Sequence, residues 1–171
     1  LPGSLFGEAD PQFRKAMVKD DYVYVYAAEC PKLCPVTRAP LSRATDRSAY
    51  RFWDGKQWSA DIASAKGVIQ SSNYGYDVMY NSAIQRYVQV MIGNLSNKLY
   101  LSYAKDPQGP WSKPSESFEL KGNITYVPYL HPEMGDGTTV YMTYSRDDSA
   151  ICKDACTDKG GVDIMKLTFK K

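Results

Sequence analysis

The chain has no long apolar run. No stretch nears the roughly 18 residues that a membrane-spanning helix needs, so no span is expected. It has one histidine in 171 residues, His131, and one imidazole with no local histidine or aspartate partner does not make a metal site by itself. Basic and acidic residues are interspersed, 21 against 19, for a net charge of +2. There is no lysine/arginine stripe, which excludes nucleic acid as a natural partner. There is no glycine-rich phosphate loop ahead of a helix, no G-x-S-x-G elbow and no H-E-x-x-H pair. Helical periodicity is equally scarce, and only Asp61–Ala65 has weak helical character. The opening LPGSLFGEAD reads as a trimmed start, so the lack of a signal peptide excludes nothing about export.

What is present is tyrosine and β-branched residues in short runs. The chain carries 14 Tyr and 3 Trp, and hydrophobic residues make up 43%. This composition favours strand over helix. One pattern occurs three times, as Tyr22–Tyr26, Tyr87–Met91 and Val140–Tyr144, with starts 65 and 53 residues apart. Each copy follows a polar lead-in and precedes a turn and another strand. Repeats of this size, each holding several strands, predict stacked antiparallel sheets of the β-propeller type.

A pass along the chain gives three such units in one domain over 1–171. Residues 1–10 read as a leader. The first unit has strands over Phe13–Val18, Tyr22–Ala27 and Thr37–Arg43, then Tyr50–Trp53 and Gln57–Trp58 around an Asp54-Gly55 hairpin turn. The second has Tyr76–Tyr80, Arg86–Ile92, Lys98–Ala104 and Ser117–Leu120. The third has Ile124–Leu130, Thr138–Ser145 and Val162–Phe169, interrupted by an insertion over Arg146–Gly161. Closed propellers have about four to eight blades. Three units therefore imply that residues 1–10 and the loops add structure, or that the ring is completed by another segment, another chain or a second copy. Open sheet edges would invite such pairing.

The four cysteines form two close pairs, Cys30 with Cys34 and Cys152 with Cys156. Two local disulfides are the preferred reading, with paired zinc ligands as the alternative. The sequons Asn94-Leu95-Ser96 and Asn123-Ile124-Thr125 are candidate glycan sites, though such short motifs also occur by chance. Cysteine pairs and sequons together point to a secreted protein.

The segments Ala39–Trp58, Tyr80–Val90, Ala104–Trp111, His131-Pro132 and Tyr144-Ser145 come in a telling order. Together, over roughly residues 11–146, they resemble the later blades of the five-bladed propellers called domain of unknown function 4185. That group is similar to arabinanase-like glycosidases, and some members degrade D-arabinan. The resemblance implies a polysaccharide or glycan partner, and a histidine near the propeller axis that supports a structural cation, with no other cofactor. The early blades, where such enzymes place an essential carboxylate, have no counterpart in the chain.

Glycoside hydrolysis needs two carboxyl groups facing one sugar. Asp77, on a predicted inner strand, is the leading candidate, and a backbone-bonding strand-start residue is its bland alternative. Glu8 and Asp10 read as solvated leader residues. His131 is either a site residue or a hydrogen-bonded loop histidine. Arg14 could hold a carboxylate or sugar hydroxyl, or form a surface ion pair. Tyr76, Tyr126 and Tyr129 could stack on sugar faces or simply pack. Trp53, Trp58 and Trp111 read as packing between blades. Three functions fit these residues. One is a glycosidase using Asp77 with a carboxylate from missing blades. Another is a non-catalytic module that assembles through exposed sheet edges, and the third is a lectin using the tyrosines and Arg14.

Overall fold

The computed structural model describes residues 4–147 and 160–170. The short aromatic and β-branched runs become thirteen strands, and among the described residues there is no α-helix, only four 3-10 turns. No helix there is long and apolar enough to cross a membrane. The fold is all-β, with antiparallel sheets of the propeller type, as the repeat predicted. By its contacts the chain falls into two compact units, Leu1–Ser71 with Asp106–Trp111, and Ser72–Lys105 with Ser112–Lys171.

The first unit holds β1 (Phe13–Lys19), β2 (Tyr22–Ala27), β3 (Cys34–Pro40), β4 (Arg51–Trp53), β5 (Trp58–Ser59) and β6 (Gly67–Ile69). The first five lie in sequence order, and β6 pairs with β3. The Asp54-Gly55 turn forms as predicted. Asp54 Oδ1 accepts the backbone N–H groups of Lys56 and Gln57, each at 2.8 Å, and these two bonds hold its carboxyl below the usual range. The third strand starts and ends earlier than expected. The unforeseen β6 draws in Cys34, opposite Ile69, while Leu41–Arg43 turns into a 3-10 segment. Gly67 permits this pairing, because a Cβ there would sit 2.3 Å from the Leu33 carbonyl oxygen. Cys30 and Cys34 form a disulfide, which removes them as zinc ligands. Cys152 and Cys156 lie outside the described residues.

The leader is not a solvated arm. Asp10 Oδ2 accepts the Gly7 N–H at 2.9 Å and faces Arg47 at 3.6 Å. The Arg47 guanidinium lies 4.8 Å from the Phe6 ring and 5.1 Å from Phe52, within cation–π range. Phe6 packs on Phe13 at 4.6 Å and edge-on to Tyr50 at 5.2 Å. It thereby joins the core made by Val23, Ala39, Ala49, Tyr50 and Phe52. On the opposite sheet face, Trp53 and Trp58 pair across β4 and β5 at 5.5 Å, and the Arg38 guanidinium is 4.4 Å from Trp58 and 4.6 Å from Tyr22. These tryptophans pack within one sheet, where packing between blades was expected. Trp111 meets Tyr26 edge-on at 6.3 Å, and both donate to the Pro107 carbonyl.

The second unit holds β7 (Tyr76–Asn81), β8 (Arg86–Ile92), β9 (Lys98–Ala104) and β10 (Ser115–Glu119) as one meander, then β11 (Ile124–His131), β12 (Thr139–Asp147) and β13 (Gly161–Thr168) as another. Val88, Val90, Ile92, Leu99, Leu130, Val140, Met142 and Leu167 form one apolar core from both sheets. The repeated sequence pattern falls on β2, β8 and β12. Each is the second strand of its sheet, flanked on both sides, and double pairing accounts for its Val/Tyr-rich run. The first strands β1, β7 and β11 carry less regular sequence.

Candidate functional site

Strand β11 is held by its neighbours in a specific shape. Val127 adopts a positive φ of 50°, and the pairing with β12 slips between Tyr126 and Tyr129. This is a β-bulge, which re-aims the side chains after it. Gly75, at φ +105°, faces the bulge, where a Cβ would meet Val127 and Pro128 at 3.0 Å. The Val127 N–H donates to the Tyr74 carbonyl at 2.7 Å. The Leu130 N–H donates to Asp77 Oδ2 at 2.8 Å.

Leu130 points into the core, so its neighbours Tyr129 and His131 emerge on the other face. Tyr129 is 54% exposed, and its ring lies 5.1 Å from the imidazole. His131 is fixed at both nitrogens, with Nδ1 3.0 Å from Glu133 Oε1 and Nε2 2.9 Å from Thr143 Oγ1. A carboxylate only accepts, so Nδ1 carries a proton, and in the neutral ring the Thr143 hydroxyl donates to Nε2. The Glu133 carboxyl is held below its usual range, first by its own backbone N–H and then by His131. By register, Tyr129, Thr143 and Ile164 form one row on this face, and His131, Tyr141 and Lys166 form the next.

The predicted residues divide accordingly. Asp77 is only 6% exposed and makes the backbone bond described. Tyr76 is 1% exposed, so it offers no open ring face, and burial followed by the Asp77 charge pushes its phenol up. Tyr126 stacks on Tyr74 at 5.2 Å. The expected stacking role therefore fails for Tyr76, and Tyr126 already has one ring face covered. Arg14 pairs with Glu29 at 2.5 Å and also bonds Gln12. Asn94 and Asn123 are exposed. Their sequons meet, since the buried Thr125 donates its N–H and hydroxyl to the Ser96 carbonyl at 3.2 and 3.3 Å.

Glu133 and Thr143 were not anticipated. The sequence held a signal for Glu133, because Pro132 is suited to open a tight helical turn that carries the carboxylate back to His131. Thr143 needed the strand register. Among the described residues, no three His, Cys, Asp or Glu side chains converge as a metal site. Both His131 nitrogens are occupied by protein partners, so a cation would have to displace one of them. The residues do not fit a cation bound directly to His131.

No curated protein matches the chain. Several solved structures share the fold, three of which follow. An endo-arabinase from Bacteroides thetaiotaomicron VPI-5482 is 12% identical with a TM-score of 0.56, over 94% of this chain and 52% of that one. A GH43_12 protein retrieved from a capybara gut metagenome is 13% identical at 0.55, over 95% and 29%. A protein from Bacteroides ovatus ATCC 8483 is 15% identical at 0.58, over 77% and 37%. The chain thus spans between 29% and 52% of the length of those proteins. A family model for the domain of unknown function DUF4185 matches residues 3–149, and the chain belongs to that family.

Proposed function

We propose that the chain provides glycan-recognising surface in a secreted carbohydrate-active propeller, with the β11–β12 face as its sugar-contacting region. One observation carries this reading: an exposed tyrosine, Tyr129, stands beside an imidazole fixed from two sides. An aromatic ring supplies the flat apolar surface that a sugar ring stacks on. His131, Glu133 and Thr143 supply polar groups of set direction around it. The shared fold with an endo-arabinase supports a carbohydrate ligand, although fold alone does not carry function. The Cys30–Cys34 disulfide is compatible with an extracellular setting.

Cleavage by these residues alone is less well supported. Asp77 is buried and bonded to backbone, which suits a residue that positions β11. A hydrolase built on this chain would need carboxylates placed about 5–10 Å apart across the sugar. The direct test is calorimetric titration of the full chain with arabinan-, xylan- and β-glucan-derived pentasaccharides, with Tyr129→Ala beside it. Saturable binding lost in the variant supports the reading. Binding that Tyr129→Ala leaves intact would move the site elsewhere.

The second reading, self-association, has its own observation. Val162 and Ile164 on β13 are 71% and 56% exposed, on the same face as Tyr129 and Thr143. Contact would then run through the sheet face, not the sheet edge. Light scattering decides between a 19.2 kDa monomer and a larger species.

A further inference from the structure

We infer that the first unit carries a second, separate carbohydrate subsite, a cleft of about 500 Å³ between the leader and the β1–β2 hairpin. The carbohydrate class rests on the preceding reading, but the cleft shares no residue with the β11–β12 face. Its volume lies within the roughly 300–1,000 Å³ usual for small-molecule sites.

Its chemistry is two-sided. Ala16, Val23, Val25 and Phe13 give an apolar floor, and Phe6 closes one wall. Arg14 and Gln12 stand at the rim, and the Arg14 guanidinium donates to both Gln12 and Glu29. The Tyr50 hydroxyl is already committed to the Ala44 carbonyl at 2.7 Å, so Tyr50 contributes ring surface.

The polar rim selects the ligand. Glu29 neutralises Arg14, so an acidic ligand would have to compete with a carboxylate already seated. A wholly apolar ligand would strip water from the half-exposed Arg14–Glu29 pair and return no hydrogen bond. A neutral ring bearing hydroxyls on its edge and C–H groups on its face meets both demands. It can lay its face on Val25 and Phe13 and exchange hydrogen bonds with Arg14, Gln12 and Glu29. A guanidinium has five N–H donors, and the two contacts above leave donors to spare.

The wall is fixed before any ligand arrives. Arg47 grips the leader through Phe6 and Asp10, and Phe6 is packed against Phe13 and Tyr50. A preformed wall removes an ordering cost from binding.

The test is amide chemical-shift mapping of the ¹⁵N-labelled full chain, titrated with the same three pentasaccharides. Saturable shifts at Gln12, Arg14, Val23 and Val25 are expected with at least one of them. Arg14→Gln should weaken that response about tenfold and leave any response at Tyr129 and His131 unchanged. Val25→Trp, which fills the floor, should abolish it while the remaining amide spectrum stays folded. Shifts confined to the β11–β12 face overturn the subsite and leave the preceding proposal standing. Shifts confined to the cleft do the reverse, and no shift anywhere overturns both.

Discussion

The Asp77 carboxylate accepts the backbone N–H of Leu130, and with that one bond at 2.8 Å a side chain of β7 fixes the strand that presents Tyr129 and His131. Leu130 is buried, so its amide has no water to turn to. Losing a buried acceptor costs about 1–3 kcal/mol. Asp77→Ala should therefore destabilise the chain by about that much in urea unfolding. Asp77→Asn keeps an oxygen in place and should cost less. Equal losses for the two would mean that charge, not the Leu130 bond, is what Asp77 supplies.

Tyr129→Ala separates binding from folding. The ring is more than half exposed, and surface substitutions usually shift stability by no more than about 0.5 kcal/mol. Pentasaccharide affinity should fall about tenfold, or about 1.4 kcal/mol, with Tm nearly unchanged. A large fall in Tm would place Tyr129 in packing.

The leader is expected to be structural. Phe6→Ala removes an aromatic contact from a partly buried site and should cost about 1–3 kcal/mol, below the range for a fully buried phenylalanine. Thermal unfolding of the variant measures it. An unchanged Tm would show that residues 4–10 do not hold the first unit together.

Acid should erode the Arg47–Ala49 turn. The Asp46 carboxyl is lowered to about 2 by the Ser48 hydroxyl, then Arg43 and the Ser48 N–H. A depressed carboxyl stabilises the fold above its unfolded pKa, about 3.9, and the contribution is lost as pH falls toward the folded value. Asp46→Asn should flatten the pH dependence of stability between about pH 4 and pH 2. Unfolding midpoints across that window are the readout, and an unaltered slope would count against these bonds in solution.

The Cys30–Cys34 bridge closes a very short loop, so its effect on the unfolded chain is modest. The loop-entropy relation gives roughly 2 kcal/mol. Urea unfolding of a Cys30→Ser variant tests that figure, and a loss several times larger would point to native contacts of the buried Cys34.

Much of the strand layout was legible because the second strand of each sheet is paired on both sides and must be Val/Tyr-rich along its length. The Asp54-Gly55 turn was legible because its chemistry is local. β6 was not, since Gly67–Ile69 is short and its pairing with Cys34 is set by a close approach to Leu33. The leader was misread for a similar reason. Its hold on the first unit depends on Arg47, 37 residues after Asp10. The site was half legible. His131 and Tyr129 stood out by residue type, but Thr143 reaches the imidazole only through strand register, and Asp77 finds Leu130 only when β7 and β11 lie side by side.

The stitching of β11 has a consequence for the fate of the chain at high concentration. An edge strand aggregates by offering unpaired donors to a newcomer. On β11, the Val127 donor is taken by Tyr74, position 128 is a proline with no N–H, and the Leu130 donor is taken by Asp77. A stray strand meeting this stretch finds its outward N–H donors already taken, so the bond that Asp77 makes removes one of the groups on which edge-to-edge pairing depends.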